Sequence, residues 1–130
     1  AMKPNAGFSE AKPWLPVKPE QAAHSVSTQI DKPDSVLNFY KTMLRLRKSS
    51  ETLQYGATRF FDTQEPILAF TRGDDMLCIF NLSTTAQCVT IDGNVTAVLS
   101  EAAKLAHGQL NLAGNGLALL IVTGQVSVSN

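Results

Sequence analysis

The sequence predicts a mainly β protein: an antiparallel β-sandwich of about seven strands, preceded by one amphipathic α-helix and a proline-rich irregular N-terminal segment. Three observations carry this. Apolar residues recur at helical spacing over one stretch only, Asp31 to Gln54. From Tyr55-Gly56 onward the period falls to two and stays there. Ahead of both, four of the six prolines crowd between Pro4 and Pro19. The expected organisation is therefore an irregular segment at 1–30, a helix at 31–54 and a sandwich at 55–130.

In the first zone the prolines forbid a regular helix and leave a sheet few donors. The stretch QAAHSVSTQI, Gln21 to Ile30, reads as a turn or short strand. The helix is the strongest element. Pro33 suits a first turn, and Asp31, Asp34 and Ser35 are each able to cap it. At 100° per residue, Val36, Leu37, Phe39, Tyr40, Met43, Leu44 and Leu46 fill about half the wheel. Asn38, Lys41, Thr42, Arg45 and Lys48 fill the other half. Arg47 breaks the pattern, falling inside the apolar arc. It reads either as a snorkelling side chain in the last turn or as one half of an ion pair with a buried carboxylate.

The strands follow as ATRFFDT, PILAFTR, MLCIFNLS, QCVTI, VTAVLS, GQLNL and LALLIV. Turns are expected at Gln64-Glu65-Pro66, Gly73–Asp75, Asp92-Gly93-Asn94 and Ala113–Gly116. MLCIFNLS is apolar at both parities, so it should be a central strand covered on both sides. Phe60 and Phe61, as strand neighbours, point to opposite faces, so at most one of them faces outward.

Composition narrows the function. Hydrophobic residues make up 44% of the chain, and eleven basic residues balance eleven acidic ones. Nothing in that balance calls for nucleic acid or a membrane surface as partner. The longest apolar run, Leu117 to Val122, is too short to cross a bilayer. Cys78 and Cys88 lack metal-ligand spacing and read as two buried reduced thiols, with a disulfide as the alternative. Met2 follows Ala1, the pattern a cleaved tag leaves, so a natural start is not expected here.

No residue is assigned a catalytic, cofactor-binding or metal-ligating role, and no cofactor is expected. GxSxG, P-loop, GxGxxG and HExxH patterns are all missing from the sequence. His24 and His107 stand apart and read as surface residues. Asp74 and Asp75 are adjacent in a turn, whereas the paired carboxylates of a glycosidase must face each other across a cleft.

NAGFSEAKPWLPV followed by DKPDSVLNFYKTMLRLRKSSETLQYG resembles the α-amylase family of glycoside hydrolases, above all its bacterial α-glucosidases and oligo-1,6-glucosidases. Gly7, Phe8, Lys12, Pro13, Trp14, Leu15, Pro16 and Val17 match the loop after the last strand of the family's (β/α)₈ barrel. Ser35, Val36, Leu37, Tyr40, Leu44, Leu46, Arg47 and Lys48 match the helix that closes the barrel. The resemblance is strong over Asn5–Gly56 and mostly architectural beyond, where the family carries an antiparallel C-terminal domain.

It implies a fragment: the last barrel loop and helix, plus that domain, of a retaining enzyme acting on α-linked glucosides. The family's nucleophilic Asp, acid/base Glu and second Asp lie on earlier barrel strands, so no residue here inherits those roles. A non-catalytic structural domain is the expected function, and an independent carbohydrate-binding module the alternative. The implied partner is the barrel itself, in a cytoplasmic enzyme. With the barrel gone, some of Val36, Phe39, Tyr40 and Met43 should face solvent and favour a homo-oligomer.

Overall fold

The computed structural model describes residues 3–130, so the reading of Ala1-Met2 lies outside the described residues. The chain divides into two compact units, Ala1–Ser49 and Ser50–Asn130.

In the first unit the proline-rich stretch is irregular up to Lys18, apart from a 3-10 turn at Pro4–Gly7. Asn5 and Ala6 there adopt left-handed backbone (φ 52 and 57). The Asn5 amide holds the turn by donating to the carbonyls of Ser9 (2.8 Å) and Ala11 (3.0 Å). The expected turn or strand at Gln21–Ile30 is instead part of two short helices, α1 (Pro19–Ala23) and α2 (Val26–Gln29). Pro19 sits in the first turn of α1, where its missing N–H has no intrahelical role. The Gln21 side chain then accepts from the Lys18 amide at 3.0 Å.

The main helix, α3, runs Val36–Ser49. Of the three candidate caps Ser35 takes the role: its hydroxyl accepts from the Asn38 amide (3.3 Å) and donates to the Gln29 carbonyl (2.9 Å). Asn38, assigned by the wheel to the polar half, donates to the carbonyls of Gln29, Ile30 and Lys32 and so ties the incoming chain to the helix. The helix ends five residues short of Gln54. Ser50 leaves helical geometry (φ −122, ψ 112), and its hydroxyl caps a new helix, α4 (Glu51–Tyr55), by accepting from the Leu53 amide at 3.1 Å. A serine offers the backbone this alternative to an interior helical bond. Arg47 is exposed in the last turn of α3.

The second unit is mainly β and antiparallel, as the alternation implied. Its strands number five among the described residues: β1 (Thr58–Phe60), β2 (Ile67–Arg72), β3 (Met76–Asn81), β4 (Gln87–Ala106) and β5 (Gln109–Ser129). They form one sheet in the order β1-β2-β3-β5-β4. The count is lower than about seven because two expected turns are bends within strands. At Asp92-Gly93-Asn94 the chain makes a register shift against β5 rather than reversing. Asn115 (φ 58) and Ala102 (φ 51) bend β5 and β4 near Ala113–Gly116, again without reversal. The true reversal is at His107-Gly108, whose φ values of 50 and 75 suit a two-residue hairpin turn closed by the Ala106–Gln109 pair.

These bends give β4 and β5, 20 and 21 residues long, more than one partner segment each. Leu110 pairs with Val89 on one side and Leu105 on the other, while Leu120 pairs with Leu77 and Ala97. The core draws on all of them: Ile67, Ala69, Leu77, Ile79, Val89, Ile91, Leu110, Leu112, Ala118, Leu120, Val122 and Val128 form one cluster. The central-strand expectation for MLCIFNLS holds, since β3 is third of five and Met76 through Ile79 are all buried. Phe61 packs against the core whereas Phe60 is exposed, so one of the pair faces outward as the pleat requires. At the junction of α4 and the β2–β3 turn, Gly56 is required for space. A Cβ there would lie 2.6 Å from the Gly73 nitrogen and 2.5 Å from the Thr52 carbonyl oxygen.

Asn81 is fully satisfied. Its amide donates to the carbonyls of Thr85 (2.7 Å) and Ala113 (2.9 Å), and its oxygen accepts from the Ser83 amide (3.0 Å) and hydroxyl (2.9 Å). One side chain thus joins β3, the following loop and the bend in β5. We expect Asn81→Ala to destabilise the protein by about 1–3 kcal/mol by orphaning these groups. Urea unfolding followed by circular dichroism measures it, and an unchanged midpoint would contradict the assigned role.

Candidate functional site

The residues with chemical potential are scattered. His24 follows α1 and His107 occupies the hairpin tip; both are exposed, in different units. Asp74 and Asp75 are exposed in the β2–β3 turn. Asp74 lies 3.4 Å from Arg59, a pairing at the surface that contributes little to stability. Among the described residues no group of three or more His, Cys, Asp or Glu side chains could hold a metal ion.

The surface carries open depressions, and the linings of two of them fall among the described residues. One, in the first unit, is lined by Lys3, Phe8, Ser25, Val26, Thr28 and Ile30 among others. The other lies on the sheet unit beside Gln87, Cys88, Lys104 and Asn111. Neither lining includes an aspartate or glutamate. Acid–base cleavage of a glycosidic bond uses a pair of carboxylates flanking it, and these two surfaces do not provide one.

The expectation of two buried thiols needs correction at one position. Both cysteines are free, but Cys88 is exposed and its thiol donates to the Gln109 side-chain oxygen at 3.1 Å. The reason is parity: Val89 next to it faces the core, so Cys88 faces out. Cys78 is buried in the centre of β3. Burial pushes its thiol up to about 11, against a smaller opposing pull from the Arg72 guanidinium.

Two features escaped the sequence reading. The first is Arg72, whose guanidinium donates to the Thr58 hydroxyl (2.8 Å) and the Leu53 carbonyl (3.4 Å), tying α4 and β1 to the end of β2. Its Nε is buried without a partner. The second is an aromatic ladder on the outward side of the sheet. Phe60 and Phe70 have ring centroids 5.5 Å apart, and Phe70 and Phe80 5.9 Å apart with nearly parallel rings. Their signal was present as three phenylalanines on successive strands, but only the register makes them neighbours.

The chain thus combines, in one unit, a capped amphipathic helix and, in the other, a bent antiparallel sheet, with no catalytic group assembled among the described residues. Residues 1–56 match the family described as Alpha amylase, catalytic domain. A glucan 1,6-alpha-glucosidase of Streptococcus pneumoniae is 34% identical over 100 residues, 75% of this chain and 19% of that protein. A probable alpha-glucosidase of Rhizobium meliloti is 36% identical over 86 residues, 64% of this chain and 16% of that protein. The crystal structure of an alpha-glucosyl transfer enzyme, XgtA, superposes with a TM-score of 0.84 at 33% identity, covering 93% of this chain and 24% of that one. The chain belongs to the α-amylase family of glycoside hydrolases, and the relatives it matches carry names of α-glucosidases and glucosyl transfer enzymes. It spans less than a fifth of the length of these curated relatives. The likeness in sequence also runs well past Gly56, further than the loop and helix motifs indicated.

The thiols give a direct check. In the native protein a disulfide reagent at pH 8 should label Cys88 promptly and Cys78 only on unfolding. Equal labelling of both would show the β3 packing to be wrong. Because Cys78 is raised in the folded state, its neutral form favours folding. That contribution is complete below the unfolded thiol value near 9 and is lost as pH rises from there towards about 11. Stability should therefore fall on the order of 2–3 kcal/mol more steeply over that window in the native protein than in Cys78→Ala.

Proposed function

We propose that this chain is the non-catalytic closing segment of an α-glucosidase-type glycoside hydrolase that acts on α-linked glucosides, such as malto- or isomaltooligosaccharides. In this reading the first unit is the last loop and helix of a catalytic barrel, and the sheet unit is the domain that follows it. The carboxylates of the retaining reaction are supplied by residues outside this chain. The observation that carries the reading is the surface of α3, a helix inside the stretch that matches the family's catalytic domain. Val36, Tyr40 and Leu44, one turn apart, are 67%, 62% and 58% exposed. A helix that leaves such a stripe in water is built to be covered, and the proposed cover is the barrel.

A binding-module reading draws on a different observation, the outward ring of Phe60 in the ladder. The two readings separate by titration with maltooligosaccharides. Saturable amide shifts confined to the Phe60 face at sub-millimolar sugar would favour the module. No shift at all is the outcome expected of a structural domain.

Purified chain should leave p-nitrophenyl α-glucoside unhydrolysed above the buffer rate, and the natural reading frame upstream of Lys3 should encode a barrel with three catalytic carboxylates. Turnover by the chain alone, or a gene that starts at Met2, would overturn the proposal.

Exposed without a cover, the α3 stripe is further proposed to drive self-association of the isolated chain. Light scattering should show mass rising with concentration, and replacing Val36, Tyr40 and Leu44 together by serine should abolish the rise. A clean monomer at high concentration counts against it.

A further inference from the structure

We draw no further inference here: the strongest candidate, the outward apolar face of the sheet where Phe60, Phe70 and Phe80 stack and Ile121 is exposed, is an unpartnered face, and nothing in the structure shows what covers it.

Discussion

The constraint on which the sheet unit depends is that β3 is buried on both faces. Four consecutive residues, Met76 to Ile79, each retain 5% or less of their surface. Leu77 and Ile79 point to the core cluster, while Met76 and Cys78 point the other way. The core cluster covers the first pair, and flanking side chains on the outward face shield the second. On the core side the cover comes from strands that bend: Val89 and Ile91 from β4, Leu110, Leu112 and Val128 from β5. On the other side the neighbours in register are Phe70 and Leu119, both opposite Cys78, with Phe80 further along the same strand. Burying six large side chains below 2% exposure is the main favourable term in such a unit.

The bends in β4 and β5 follow from the same requirement, and they explain what could and could not be read in the sequence. Alternation identified part of every strand, because period two is imposed locally by the pleat, but residues 101–106 and 123–129 also became strand and were not read as such. Whether Asp-Gly-Asn or Ala-Gly-Asn-Gly reverses the chain is not a local matter. Both carry residues tolerant of positive φ, and both use it, at Gly93 and Asn115, to kink a strand that continues. His107-Gly108 does reverse it, with a histidine where asparagine or aspartate is the usual hairpin signal. Pairing across the sheet decides between these outcomes, and pairing is a long-range property.

The helix shows the opposite balance. Its amphipathic half-wheel and its basic last turn were legible, since each arises within a few residues. The cap was less so: the sequence allows Asp31, Asp34 or Ser35, and it places Pro33 in a first turn that begins only at Val36. The early stop was not legible, because Ser49 and Ser50 differ in role though not in kind. The Ser49 hydroxyl returns to the Leu46 carbonyl (3.0 Å), which helix geometry tolerates, whereas the Ser50 hydroxyl caps the next helix. From that point the chain belongs to the sheet unit.

Three polar side chains in the fold are committed mainly to backbone carbonyls and neighbouring hydroxyls. Asn38 is spread over three carbonyls, Asn81 over two carbonyls and a serine, and Arg72 over a carbonyl and a threonine hydroxyl. A general acid or base needs the reverse: a titratable group held by its surroundings with its reacting atom open to substrate. Here the carboxylates of the β2–β3 turn lie open to water but, as chain neighbours, are not held facing one another across a cleft. Among the described residues the rigidly held side chains and the open carboxylates are therefore different groups, whereas the paired carboxylates of a glycosidase must be both held and open.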